Sequence, residues 1–325
     1  GATKTRLAWI EASEVGSWHQ IQVFETTKYG SFGEIIEVYC GDTGCRPEGV
    51  CLGIAGPVRR GEVFLTNVGW GISQSALCAQ LGLTPDYVVL MNDLQAMAHG
   101  IPVLREEDVF VLQEGEVEQH APIAVVAAGT GLGEGLLFWD GQRYHALASE
   151  GGHRDFAPVD QEQVELLTFV QKSHERVSYE RVCSGGVGLE NLVRFYRARG
   201  LVSNAELDRM VEQNSRALGL ALVRTADDQE NPASELCVRV LSMLCRILTA
   251  EMGNVALQAL PFGGLYVGGG LAVQLREQLA SPEVFAAFGA KGRWAPLMKT
   301  FAVRVILHPE PGLLGLNAVA KTRMS

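Results

Sequence analysis

Pro122-Ile123-Ala124-Val125-Val126-Ala127-Ala128 runs directly into Gly129-Thr130-Gly131-Leu132-Gly133. An unbroken apolar run ended by glycines reads as a strand buried on both faces that stops at a turn. Three further runs share the pattern: Gly49-Val50-Cys51-Leu52-Gly53-Ile54-Ala55, Tyr87-Val88-Val89-Leu90-Met91 and Gly264-Leu265-Tyr266-Val267-Gly268. Longer stretches of helical spacing lie between them. The clearest runs from about Glu235 to Leu260, where Leu236, Val240, Met243, Leu244, Ile247 and Leu248 recur at three- and four-residue intervals. Another covers about Gln161 to Ser173. Strands alternating with helices predict an α/β fold, in which ligands gather at the carboxyl ends of strands. The polar residues that follow each strand are therefore the functional candidates.

The chain has 325 residues, 47% of them apolar. Single cores stop growing near roughly 250–300 residues, so two domains are expected. Acidic residues outnumber basic ones 37 to 27, for a net charge of −10. Nucleic acid and anionic membranes are bound through basic patches, so neither is an expected partner, and a small-molecule ligand fits better. Seven cysteines without a regular framework point to a reducing cytoplasm rather than a secreted disulfide scaffold. No signal-peptide pattern is read, and no apolar run reaches the roughly 18 residues of a membrane span.

Met91-Asn92-Asp93-Leu94 closes an apolar strand with an amide and a carboxylate side by side. The pair can face one ligand, with Asp93 accepting a proton; equally, it can cap a helix starting near Leu94. Around Thr130, Gly129 and Gly131 would let backbone N–H groups approach an anion with no Cβ between. The same glycines suit a tight hairpin into Gly135-Leu136-Leu137-Phe138, and both readings can hold together. Ser149-Glu150-Gly151-Gly152-His153 sets a carboxylate and an imidazole around two glycines, either a plain turn or the paired donors and acceptors that a polyol needs. Glu180 sits beside Arg181 and reads, from the residues alone, as half of a solvated ion pair. Gly268-Gly269-Gly270 after a strand fits a nucleotide-contacting turn, or a strand-to-helix junction packed on a neighbouring backbone. Cys40-Gly41-Asp42-Thr43-Gly44-Cys45 looks like half a metal knuckle. Two thiols fall short of the four ligands of a structural zinc, so no protein metal site is predicted.

The order of these elements resembles the bacterial glucokinase family, within the hexokinase and actin-like ATPase superfamily. The resemblance runs along nearly the whole chain. It takes in Gly1-Ala2-Thr3-Lys4-Thr5-Arg6, Leu65-Thr66-Asn67 with Trp70, Asn92-Asp93, Ala128 to Gly133, Glu150-Gly151-Gly152-His153 with Asp155-Phe156-Ala157-Pro158, Glu180-Arg181-Val182 with Ser184-Gly185, Gly268-Gly269-Gly270, and Pro311-Gly312-Leu313-Leu314-Gly315. It implies a two-domain, ribonuclease H-like fold with a cleft: a small domain of residues 1–103 plus 309–325 and a large one of residues 104–308.

By the same resemblance the activity is ATP-dependent phosphorylation of D-glucose to glucose 6-phosphate in the cytoplasm, by a homodimer using Mg²⁺. Asn92, Asp93, Glu150, His153 and Glu180 would hold sugar hydroxyls, with Asp93 as general base and the domains closing over the sugar. Gly1, Ala2, Thr3, Gly129, Thr130 and Gly131 would contact ATP phosphates, and Gly268 and Gly269 the nucleoside. A kinase for another hexose and a noncatalytic sugar-binding relative are the alternatives, and a phosphate cradle by itself also admits ADP or polyphosphate as donor. The family's first phosphate motif opens with an apolar strand and an Asp two residues before the glycine matching Gly1, and neither stands in this sequence. Because Gly1 to Arg6 keep the rest of that motif, the expectation is that the natural chain begins earlier.

Overall fold

The computed structural model describes residues 4–11, 18–65 and 68–324. Gly1, Ala2 and Thr3, and with them Thr66 and Asn67, lie outside the described residues. The chain divides into two compact units, one of Gly1–Arg105, Tyr144–Ala148 and His308–Ser325, the other of Glu106–Arg143 and Ser149–Leu307. Residues 144–148, which the sequence reading grouped with the larger domain, belong to the first unit in this division.

In the first unit β1 (Lys4–Trp9) pairs antiparallel with β2 (His19–Glu25). The helix Phe32–Thr43 follows, capped by Ser31, whose hydroxyl accepts the Glu34 N–H. Next come β3 (Val50–Ile54), a hairpin of β4 (Glu62–Leu65) and β5 (Trp70–Ser73), and β6 (Val88–Asn92), which runs parallel to β3 with Ile54 opposite Asn92. Phe24, Ile35, Ile36, Tyr39, Leu52 and Leu77 fill the core between these elements. Among the described residues β1 pairs only with β2, and β3 only with β6. A cavity of about 910 Å³ is lined by Leu7 and Trp9 of β1 and by Val50 and Leu52 of β3. The helix Asp93–Gly100 packs on the helix Pro311–Met324. A Cβ added at Gly315 would stand 1.7 Å from the Ala96 carbonyl oxygen, so the two helices meet backbone to backbone only because that side chain is absent.

In the second unit β7 (Val109–Gln113) is followed by β8 (Ile123–Ala128) and β9 (Leu132–Trp139), which form an antiparallel hairpin. β10 (Tyr144–Ser149) lies almost wholly in the Tyr144–Ala148 segment of the first unit. β11 (Leu265–Gly268) runs parallel to β8, β12 (Val303–Ile306) parallel to β11, and β7 antiparallel to β12. The order β9–β8–β11–β12–β7 puts β8 and β11 in the interior, and every residue of both is buried, as unbroken apolar runs require. The helix Ser234–Ala259 crosses the same core, with the predicted stripe from Leu236 to Leu248 buried. It also corrects the sequence reading, being long and apolar enough to pass for a membrane span despite its scattered charges. Its most apolar window is 78% buried within the protein, so it is a core helix of this unit.

Candidate active site

Asn92 ends β6 and caps the helix Asp93–Gly100. Its Oδ1 accepts the Leu94 N–H at 2.8 Å, its own N–H donates to Gln95 Oε1 at 3.0 Å, and its Nδ2 donates to the Gly56 carbonyl at 3.2 Å. This is a capping box, in which an N-cap side chain and the third helical residue satisfy each other's backbone. Gln95 is held in turn by donating to the Ala146 carbonyl at 2.8 Å. The capping reading thus holds for Asn92, and it leaves Asp93 exposed at the first helical position, with Oδ1 accepting the Leu94 N–H. Asp93 faces a cavity of about 320 Å³ also lined by Lys4, Thr5, Arg6 and Gly312. Capping and a ligand-facing carboxylate occupy adjacent residues of one turn.

Three glycine turns meet in the second unit. The hairpin between β8 and β9 closes with Gly129 N–H donating to the Gly131 carbonyl, and the Gly185 and Gly186 N–H groups donate to the Gly129 and Thr130 carbonyls at 2.7 and 3.0 Å. Gly269, at φ +93°, lies so close that a Cβ there would stand 2.2 Å from the Ala128 carbonyl oxygen. That is the junction packed on a neighbouring backbone. Gly129 and Gly270 differ: nothing lies within 4 Å of a Cβ built on either. Neither they nor Gly131 has a left-handed φ, so backbone angles do not require these glycines. Their missing side chains leave accessible backbone, the surface that a phosphate group needs.

Glu150, His153 and Glu180 come together beside this hairpin. His153 Nε2 lies 3.8 Å from Glu150 Oε2 and 3.5 Å from Glu180 Oε2. The Glu180 carboxylate stands 3.2 Å from where a Cβ on Gly131 would be. The ion pair expected between Glu180 and Arg181 is not formed; Arg181 instead turns to His174 Nε2 at 3.3 Å. The 3-10 turn Tyr179–Arg181 sends successive side chains in different directions, which is why sequence neighbours part company. Glu150 and His153 are more than half exposed, so the cluster presents two carboxylates and an imidazole to a ligand.

Beneath this cluster lie charges that the sequence reading missed. Arg154 Nη2 donates to Glu134 at 2.7 Å and to Glu251, its Nη1 to Gln258 at 2.9 Å, and its Nε to the Gly151 carbonyl at 3.1 Å. The side chains of Glu134 and Glu251 are 7% and 1% exposed. Burial, and then the charge of Glu251, push the Glu134 carboxyl up to about 7 against the pull of Arg154. A signal was present in the sequence: Glu134 interrupts a buried strand, and Glu251 extends the apolar stripe of a core helix.

The fold is the two-unit α/β arrangement of sugar kinases with the actin-like ATPase fold. A solved glucokinase from an Antarctic psychrotroph superposes with a TM-score of 0.79 at 25% identity, over 98% of this chain and 96% of that one. A ROK-family glucokinase from Streptomyces griseus, in complex with glucose and AMPPNP, shares the fold at a TM-score of 0.65 and 21% identity, over 99% and 97% of the two chains. The glucokinase of Trichormus variabilis is 34% identical over 336 residues, covering 97% of this chain and 95% of its own length. The Glucokinase family model matches residues 1–323, and the chain belongs to that family.

Proposed function

We propose that the protein transfers the γ-phosphoryl group of ATP to the primary hydroxyl of D-glucose. The observation that carries this reading is the grouping of Glu150, His153 and Glu180 next to Gly131, a polyol-binding cluster beside backbone left bare for phosphate. Two carboxylates accept from sugar hydroxyls, and the imidazole can donate or accept, so adjacent hydroxyls are fixed in orientation. Phosphoryl transfer passes through a loose transition state, and the protein contributes mainly positioning and charge stabilisation.

In this reading Asp93 takes the proton of the primary hydroxyl as the bond to phosphorus forms, and Asn92 donates to a neighbouring sugar oxygen. The exposure of Asp93 beside a fixed cap supports that role, because the Leu94 N–H orients the carboxylate through Oδ1 while the residue lines the cavity of about 320 Å³. In the same reading the turn of Gly129, Thr130 and Gly131 faces the transferred group, with the Gly129 N–H closing the turn on itself, and Gly268 and Gly269 lie toward the nucleoside. Gly1, Ala2 and Thr3, outside the described residues, are assigned to the phosphates by the family resemblance alone. Mg²⁺, where it accompanies the nucleotide, would supply charge neutralisation at the phosphates beside the Gly129–Gly131 turn. The first unit serves as the small domain and the second as the large one, in a cytoplasmic homodimer such as the family resemblance implies.

The test is a coupled assay for sugar phosphate on the purified protein, with MgATP and glucose, mannose, fructose or N-acetylglucosamine. Turnover confined to glucose is the expected result. Faster turnover of another hexose overturns the glucose assignment, and sugar binding by calorimetry without turnover overturns the catalytic one.

A further inference from the structure

Burying two carboxyl groups side by side is costly, and well-packed apolar residues of similar volume commonly serve stability as well or better. Arg154, Glu134 and Glu251 therefore call for a reason beyond stability, and their contacts supply one. Glu251, Asn254 and Gln258 lie on one face of the helix Ser234–Ala259, at i, i+3 and i+7. Glu251 and Gln258 hold Arg154, which grips the Gly151 carbonyl through Nε. Asn254 donates to Glu251 at 2.8 Å and to the Tyr179 hydroxyl at 3.0 Å, and Lys291 Nζ donates to Asn254 Oδ1 at 2.7 Å. Two turns are thus tied to one rigid helix: the turn Gly151–His153, flanked by Glu150, and the turn Tyr179–Arg181, which contains Glu180.

Glu134 closes the arrangement from below. A Cβ on Gly151 would stand 2.0 Å from Glu134 Oε2, so the carboxylate presses directly against the turn. Arg176 adds a second hold from outside, donating to the His153 carbonyl at 2.6 Å and pairing with Asp155. That grip is on the exposed side, on the segment that enters the Tyr179 turn, where the Tyr179 N–H also donates to the Arg154 carbonyl at 3.0 Å.

We propose that Arg154 and the buried Glu134 and Glu251 form a clamp that sets the spacing between the Glu150–His153 turn and Glu180, and through it the affinity for the hexose. The inference rests on the reading that these turns hold the sugar. Arg154, Glu134 and Glu251 are positioning residues: they act on the sugar only through the groups they hold. Misplacing a binding group by an ångström costs up to about a hundredfold in a well-oriented site, so loosening the clamp shows as weakened sugar binding.

The clamp is tested by steady-state kinetics on the triple variant Glu134→Leu/Arg154→Met/Glu251→Leu, in which all three charges are removed together and none is left unpaired. The expected result is a folded protein whose KM for glucose rises about tenfold or more, while kcat and the KM for ATP stay within about twofold. Glu134→Leu alone keeps the Arg154–Glu251 pair and is the second variant, with an expected rise in glucose KM of about threefold. A folded variant of either kind with an unchanged glucose KM overturns the clamp. His153→Ala separates the two levels of the argument. If it raises the glucose KM while the clamp variants do not, only the clamp falls. If His153→Ala leaves that KM unchanged, the hexose reading of the turns falls, and the clamp's role with it.

Discussion

The turn at Asn92–Asp93 and the turn at Glu150–His153 both present polar side chains, and they are held in opposite ways. The first is fixed by neutral hydrogen bonds between neighbours in sequence: Asn92 accepts the Leu94 N–H, and Gln95 accepts the Asn92 N–H. The second is fixed by a half-buried guanidinium whose buried carboxyl partners lie 20 and 97 residues away. A local cap is inexpensive and leaves the adjacent carboxylate accessible. A buried ionic hold is costly but reaches several backbone segments at once, and it does so around glycines that leave no room for movement.

The comparison breaks most severely at Asp93. Asp93→Ala is expected to lower kcat by about 10²–10⁴-fold, the range of a lost general base. Its thermal unfolding should stay near that of the parent, because Asn92 and Gln95 keep the cap. A variant that retains most of its rate removes Asp93 from the base role.

Gly152→Ala is the corresponding insult to the second turn. Its Cβ would stand 2.0 Å from the Leu132 carbonyl oxygen, a backbone atom that cannot step aside. Urea denaturation should show a loss of about 2–3 kcal/mol, as for overpacked cores. Asn92→Ala removes a cap only, and the same measurement should give a loss of about 1 kcal/mol.

The smallest effect sharpens the comparison through pH. Glu134 keeps its proton up to about 7 in the folded protein, against an ordinary carboxyl near 4.5. Between those values the folded state holds a proton that the unfolded chain has released, so this group's contribution to stability falls as pH rises and levels off above about 7. Glu134→Gln cannot ionise, so its Tm relative to the parent should improve steadily from pH 5 to pH 7.5. A constant difference across that range would show that Glu134 is ionised throughout.

The same contrast separates what could be read in the sequence from what could not. The strands at 123–128 and 265–268 and the long helix were legible because burial on all sides leaves unbroken apolar runs or a wide stripe; those at 50–54 and 88–92 carry the same apolar runs though they are only partly buried. Asn92 was legible as a cap because its partners lie within three residues. Glu180 was misjudged from the residues alone, since a carboxylate beside an arginine suggests a pair that the 3-10 turn then pulls apart. Arg154 passed unnoticed: its meaning depends on Glu134 and Glu251, and no local pattern joins positions so distant in the chain. Glutamates on a buried strand and on the apolar stripe of the core helix were the clues, and the first was visible only once the strand was known.

The bare contact between Gly315 and Ala96 also orders events during synthesis. The helix that starts at Asp93 is complete early, but the residue it packs against emerges from the ribosome more than two hundred positions later. Throughout that interval all of Glu106–Arg143 and Ser149–Leu307 is made, a unit with its own core and no part in the Gly315 contact. Domains fold as units during translation, so the segment bearing Asp93 waits, unfinished, on the last helix to appear. A messenger cut short before the codon for Gly315 would thus yield a protein with the Glu150–His153 turn intact and the Asp93 helix left without its neighbour.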